Sequence, residues 1–186
     1  MENNIVISFI IPAHNSEKFL KRCVESVVKE EKQPKDNNLA EVIIIENGSS
    51  DHTKQIGTAL AEKYENVFLI CSEKGVSNAR NAGVKAAHGE WIFFLDADDY
   101  LPAGTLQKLL DTVNSGKAAD LYIFSYEKGN AIVNVATGEN ADGYEGTGVR
   151  ECLAGMLRNP TRCMAVWGKL FRHSIIQQSS LDFNKN

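Results

Sequence analysis

Short apolar runs alternate along the first two-thirds of the chain with segments whose apolar residues recur every three or four positions. The runs are Ile5 to Ile11, Glu41 to Glu46, Val67 to Cys71, Trp91 to Leu95 and Ala119 to Tyr126. They are rich in branched and aromatic side chains and show no alternation, which is the pattern of strands covered on both faces. Between them, Leu20, Cys23, Val24, Val27 and Val28 mark one helix, and Leu106, Leu109, Leu110 and Val113 mark another. Ser49-Ser50-Asp51 is a capping cluster before a helix through about Tyr64. Val76 to about Ala87 reads as a helix whose small residues Ala79, Ala82, Gly83, Ala86 and Ala87 permit close approach to a sheet or ligand. Strands alternating with helices predict an α/β fold: a doubly wound, mostly parallel sheet with helices on both faces.

The punctuation refines this order. Pro12 is expected to stop the first strand because it cannot donate to a ladder, and Asn15 or Ser16 to cap the helix that follows. Residues 32–38 read as a loop. Asn47-Gly48 alone would signal a hairpin, but the capping cluster behind it favours strand, turn, helix. Beyond Glu127 the periodicity fades into a glycine-rich stretch, 128–148, expected to form a hairpin or a mobile loop, with a short alternating run at 131–136. Residues 150–158 look helical, followed by the segment Cys163 to Phe171 with Trp167-Gly168-Lys169. We divide the chain into a core, 1–127, and a remaining region of the same domain, 128–186.

Composition narrows the class without naming it. A chain of 186 residues suffices for one domain with a proper core. Its net charge of −4 leaves no general footprint for nucleic acid. No apolar run reaches the length that spans a bilayer, and Met-Glu-Asn-Asn lacks the basic start of a signal peptide, so a cytoplasmic location is the default. Cys23, Cys71, Cys152 and Cys163 form no metal or redox pattern and read as reduced thiols, mostly filling the core.

The chemistry concentrates where Trp91-Ile-Phe-Phe-Leu95 runs into Asp96-Ala97-Asp98-Asp99. Ligands of open α/β sheets collect beyond the carboxyl ends of the strands. Three crowded carboxylates repel one another unless a cation compensates them, and a hard divalent ion held by one or two of them plus substrate phosphates is the economical answer. The plainer reading is an acidic turn that caps the helix starting near Ala103. The same sheet edge should receive Pro12-Ala13-His14-Asn15, Glu46-Asn47-Gly48 and the helix carrying Arg80. A flat ring, a carboxylate, amides and a guanidinium are the parts that hold a nucleoside diphosphate. His52, His88 and His173 have no partner pattern and are left structural.

Ser8-Phe-Ile-Ile-Pro-Ala-His-Asn15, Glu46-Asn-Gly-Ser-Ser-Asp51, Gly75 to Gly83, and Gly89-Glu-Trp-Ile-Phe-Phe-Leu-Asp-Ala-Asp-Asp99 follow one another in order and spacing. Taken together they resemble the family 2 glycosyltransferases of the Rossmann-like GT-A fold. The resemblance implies transfer of a sugar, with inversion, from a nucleotide-sugar donor, a UDP-sugar foremost, to a hydroxyl acceptor on a glycan, glycolipid or protein. Mn²⁺ or Mg²⁺ would be the cofactor. It places Pro12, Ala13, His14, Asn15, Glu46, Asn47, Arg80, Asp96 and Ala97 around the nucleotide sugar, and Asp98, with Asp96 and Asp99, at the metal. Glu46 stands where the family commonly has Asp and equally reads as a helix cap; Asp99 reads as a ligand or a cap.

The family's general base normally lies in an acidic pair expected at or beyond Asn186; Asp182 lacks that context, and the chain reads as truncated. A peripheral membrane association would be common for such an enzyme. Two other readings stay open: a nucleotide-binding module without turnover, and a phosphohydrolase of the haloacid dehalogenase type, whose Asp-x-Asp usually follows the first strand and not the fourth.

Overall fold

The computed structural model describes residues 5–29, 39–115, 119–126, 133–134, 166–178 and 183. The expected loop at 32–38, most of the glycine-rich stretch, the helix expected at 150–158, and Cys152 and Cys163 lie outside them.

The elements run β1 (Ile7–Ala13), α1 (Leu20–Val28), β2 (Ala40–Glu46), α2 (Thr53–Lys63), β3 (Val67–Cys71), α3 (Val76–Ala86), β4 (Trp91–Phe94), α4 (Thr105–Val113), β5 (Leu121–Ile123), β6 (Ser125–Tyr126), β7 (Val133–Asn134), β8 (Lys169–Arg172) and α5 (His173–Gln178). A six-stranded sheet has the order β3-β2-β1-β4-β8-β5, and β6 pairs with β7 in a separate ladder. β1 to β4 are mutually parallel where they pair, as the apolar runs predict. β8 enters antiparallel between β4 and β5, so the segment from Ala119 does not pair with β4 directly. This internal strand comes from the 128–186 region. Arg172 fastens the insertion: its guanidinium meets Glu90 at 2.6 Å and Asp120 at 3.0 Å and lies 4.5 Å from the Trp91 ring.

The sheet is covered on both faces. Ile7, Phe9, Ile11, Val42 and Ile44 pack with Leu20, Val24, Leu60, Leu106 and Leu109 of α1, α2 and α4. Ile10, Ile43, Ile45, Ile92 and Phe94 pack on Ala79 of α3, with Ile176 of α5 behind. Burying each such aliphatic or aromatic side chain is worth about 1.5–3 kcal/mol of transfer free energy. Gly83 lets α3 settle onto the sheet, since a Cβ there would overlap Cγ2 of Ile10.

Three expectations need correction. Pro12 does not end β1; it lies within the strand, opposite Ile45 of β2. The ladder explains this. The Ile10 carbonyl faces β4, accepting from Leu95 N, while the Ala13 carbonyl faces β2, accepting from Asn47 N. Pro12 therefore turns its missing N–H toward β4, which has already ended at Phe94. Neither Asn15 nor Ser16 caps α1, because the helix starts at Leu20 after a turn in which the Ser16 carbonyl accepts from Phe19 N and Leu20 N. Cys23 is buried as expected, but Cys71 is exposed, because β3 is the edge strand.

Candidate functional site

The register brings the sequence motifs to one edge. Ala13, Glu46 and Cys71 are laterally paired at the carboxyl ends of β1, β2 and β3, and Asp96 follows two residues after Phe94, the partner of Ile10. Pro12 to Asn15, Glu46 to Asp51, the start of α3 and the acidic turn thus converge.

The first two loops are laced by polar bonds. Asn15 adopts a left-handed backbone with φ 51°. Its Oδ1 accepts from Ser50 N at 2.9 Å, its own N–H donates to Ser49 Oγ at 3.1 Å, and Ser16 N donates to Thr53 Oγ1 at 2.7 Å. Asp51 accepts from Thr53 N and from Glu17 N, and Glu17 in turn accepts from His52 N. The cluster lies one residue early for a helix cap: α2 starts at Thr53 after His52, which makes no side-chain cap bond, and Asp51 instead holds the turn before it. Asn47, almost fully buried, knots three loops: its N–H donates to Ala13 O, its Oδ1 accepts from Gly75 N at 3.2 Å, and its carbonyl lies 3.2 Å from His14 Nδ1.

Glu46 holds its own turn, accepting from Ser49 N at 2.5 Å. Burial works to raise its pKa, but the hydrogen bonds from Ser49 and Gly48 outweigh it, and the carboxyl lies below the ordinary range. The ring of His14 is exposed on the rim, whereas Ala13 and Ala97 are buried in the core. Those two alanines can offer a ligand only backbone.

The acidic turn does not cap α4, which begins after Gly104 and has no side-chain cap bond. Its carboxylates instead divide between two cations. Asp96 has Arg80, with Nη2 at 3.8 Å from Oδ1, while Asp99 feels the charge of Arg22 without an ion pair between them among the described residues. Burial raises the pKa of Asp96, partly opposed by Arg80 and reinforced by Asp98. Burial also raises Asp99, with Asp98 and Asp96 adding to it and Arg22 opposing. Asp98 is exposed.

Among the described residues no three acidic, histidine or cysteine side chains form a ready-made metal cage. An undercompensated pair of carboxylates beside an exposed third fits a hard divalent ion that completes its shell with ligand phosphates and water.

Sequence reasoning passed over three contributors. Arg22 of α1 donates to the Asp98 carbonyl at 2.8 Å, and Ser26 Oγ accepts from Leu101 N, so the first helix carries the acidic turn. Asn81 is buried on α3 and pairs with the backbone of Phe183. An amide within a helix face otherwise made of Ala and Gly was the available signal for Asn81; an exposed Arg on an amphipathic helix gave none. The remaining histidines are tied into the scaffold, His52 to Glu17, His88 to Glu41 and His173 to the Gly89 carbonyl.

A Rossmann-like sheet with an acidic turn after β4 and the β1 and β2 loops converging beside it matches the GT-A architecture. Residues 8–176 match the family described as Glycosyl transferase family 2, and the chain belongs to it. The chain is 29% identical over 184 residues to the putative glycosyltransferase EpsH of Bacillus subtilis (strain 168), covering 95% of this chain and 50% of EpsH. Its structure resembles residues 1–349 of TarS from S. aureus, with a TM-score of 0.72 at 23% identity, covering 97% of this chain and 50% of that one. It also resembles glucosyl-3-phosphoglycerate synthase from Mycobacterium tuberculosis in complex with Mn²⁺, UDP and phosphoglyceric acid, with a TM-score of 0.59 at 19% identity over 92% of this chain and 57% of that one. The chain thus spans about half the length of these proteins. The family assignment displaces the phosphohydrolase reading. Among the described residues no helix is long and apolar enough to cross a membrane.

Proposed function

We propose that this chain binds a nucleotide-sugar donor, a UDP-sugar foremost, and serves transfer of the sugar to a hydroxyl acceptor with inversion. The observation that carries the proposal is the meeting of Arg80 and Asp96 at the edge where the β1 and β2 loops are laced together. His14 would stack beside the base, with Pro12 to Asn15, Glu46 and Asn47 bordering the nucleoside. Asp96 would face the ribose and Arg80 the diphosphate. Asp98, with Asp96 or Asp99, would hold Mn²⁺ or Mg²⁺, which when bound neutralises charge on a departing nucleoside diphosphate. Support for a uridine donor comes from relatives of the same fold that are described in complex with UDP, and support for the metal from the Mn²⁺ complex.

Arg80 adds electrostatic stabilisation that needs no rearrangement, because it already lies against the acidic turn. Attack on the opposite face of the sugar requires a carboxylate base, which we place outside the residues assigned here. A glycan or glycolipid acceptor, and contact with a membrane surface, fit the same reading.

Thermal unfolding against UDP, GDP, dTDP and CMP, each with Mn²⁺, Mg²⁺ or chelator, tests it. A nucleotide at about 100 times its Kd stabilises the fold by about 2.7 kcal/mol, which for a chain of this size is a shift of roughly 5–10 °C. The expected result is a metal-dependent shift with UDP that is lost in Asp98→Asn. No shift with any nucleotide overturns the proposal. A shift without sugar transfer would select the binding-module reading.

A further inference from the structure

Arg80 is held in an unusual way. Its Nε is buried with no hydrogen-bond partner among the described residues, and its terminal nitrogen is 3.8 Å from Asp96, longer than a hydrogen bond. What fixes the guanidinium on its other side is an aromatic face: Cζ lies 5.5 Å from the centroid of the Phe183 ring. That ring stands edge-on to Phe94 of β4, with centroids 5.4 Å apart and an interplanar angle of 83°.

The backbone of Phe183 is clasped from α3. Asn81 Oδ1 accepts from Phe183 N at 2.8 Å, and Asn81 Nδ2 donates to Phe183 O at 3.1 Å. One side-chain amide thus pairs both polar groups of one residue, as a neighbouring strand would. Asn81 is only 6% exposed. The two residues that touch Phe183 from the helix are consecutive, Arg80 by its charge and Asn81 by its amide.

We infer that Asn81 and Phe183 are positioning residues for Arg80, placing its guanidinium to meet the diphosphate of a nucleotide-sugar donor; this rests on the function proposed above. A guanidinium carries five N–H donors, and a wall that attracts it through the π-face occupies none of them. Backbone clasp, ring and cation form a chain of contacts in which Asn81 sets Phe183 and Phe183 sets Arg80. Nε is buried, so the terminal nitrogens are the donors left for an anion, and the cation is confined before that anion arrives, which lowers the entropic cost of binding it.

The test compares UDP with uridine, each with Mn²⁺ and the whole 186-residue chain, using calorimetry for UDP and ligand-observed NMR for uridine. Phe183→Leu keeps the backbone clasp and an apolar side chain while removing the π-face. It is expected to weaken UDP about fivefold, the size of one partly buried cation–π contact, and to leave uridine unchanged. Asn81→Ala is expected to act in the same direction. In an Arg80→Met background neither substitution should weaken UDP further, because the cation they position is gone.

Parallel losses for UDP and uridine, or a full Phe183→Leu effect persisting in Arg80→Met, would overturn the assignment in favour of a merely structural role. Wild-type binding of UDP with all variants unchanged overturns it alone. A wild-type chain that binds neither ligand overturns the donor reading, and this assignment with it.

Discussion

Arg22 Nη2 donates to the main-chain carbonyl of Asp98 at 2.8 Å while its guanidinium lies 4.8 Å from the centroid of the Tyr100 ring. One side chain of the first helix thus grips the acidic turn at two points, seventy-six positions further along the chain. Nearby, buried Cys23 directs its thiol to the Asp96 carbonyl at 3.5 Å. Arg22→Met should lower stability by about 1 kcal/mol, or about 2–4 °C in Tm, from the lost charged hydrogen bond and ring contact. It should also blunt the Mn²⁺-dependent stabilisation by UDP. Arg22→Lys should recover little of either, because an ammonium cannot donate and stack at once. Scanning fluorimetry of the three chains with and without Mn²⁺ and UDP reads both effects, and an unchanged Mn²⁺ response in Arg22→Met would refute the link to the metal.

Glu25 joins α1 to α2. Its carboxylate meets Lys29 at 2.9 Å, Lys63 at 3.3 Å and Lys21 at 3.7 Å, and accepts from the Tyr64 hydroxyl at 3.1 Å. The Lys29 ammonium, opposed by burial and aided by Tyr64 and Lys63, lowers its pKa from the ordinary 4.5 to about 2. A carboxyl depressed on folding gives stability that is present above its unfolded value and is lost as pH falls through its folded one. Glu25→Gln should therefore cost about 1 kcal/mol at neutral pH, and the two chains should converge between about pH 4.5 and pH 2. Urea melts at pH 7, 4 and 2.5 measure the difference; a gap that stays constant across them would show that the charge is not what stabilises the contact.

What the sequence made legible were features with a local cause. The uninterrupted runs in β1, β2 and β4 announce strands buried on both faces, and the spacing of Leu20, Cys23, Val24 and Val27 announces the face of α1 that packs on the sheet. The acidic turn was visible because three carboxylates after an apolar run are costly without a purpose. What stayed hidden depended on partners distant in sequence. Pro12 reads as a stop until it is known that β4 ends before reaching it. Lys169-Leu-Phe-Arg172 has charged ends and no strand signal, yet it inserts between β4 and β5 because Arg172 finds Glu90 and Asp120 there. Asn15 reads as a helix cap, since cap and loop staple use the same amide, and only the proximity of Ser50 decides between them.

That staple makes a second site prediction. Asn15 combines a left-handed backbone with an acceptor for Ser50 N, two properties that separate on substitution. Asn15→Gly keeps the backbone and loses the bond; Asn15→Ala loses both. Stability should fall in the order wild type, Asn15→Gly, Asn15→Ala, by about 1 kcal/mol for the bond and about 1 kcal/mol more for the strained alanine. UDP affinity should fall in the same order, because the loop that carries His14 loses one of its ties to the β2 loop. Tm and UDP titrations on the three chains check it; glycine and alanine behaving alike would mean that the left-handed backbone carries no weight.

Gly83 is where the fold and the site depend on the same few ångströms. An alanine Cβ there would overlap Cγ2 of Ile10 and lie 3.2 Å from Cγ1 and 3.3 Å from Cβ of the same side chain. Ile10 is fully buried on a strand paired on both sides, so it cannot yield, and α3 would have to lift. Helix propensity pulls the other way, favouring alanine over glycine by about 1 kcal/mol. Overpacking a tight core contact costs about 1–3 kcal/mol, so the net change should be a loss of up to about 2 kcal/mol. Because α3 also carries Arg80 and Asn81, lifting it should weaken UDP more than uridine. Ile10→Ala alone opens a cavity and destabilises, yet combined with Gly83→Ala it should cost less than the sum of the two, since the new methyl enters the space that Ile10 leaves. Urea denaturation of the four chains in this cycle gives the coupling directly, and strict additivity would show that the contact between α3 and β1 does not set the position of the helix.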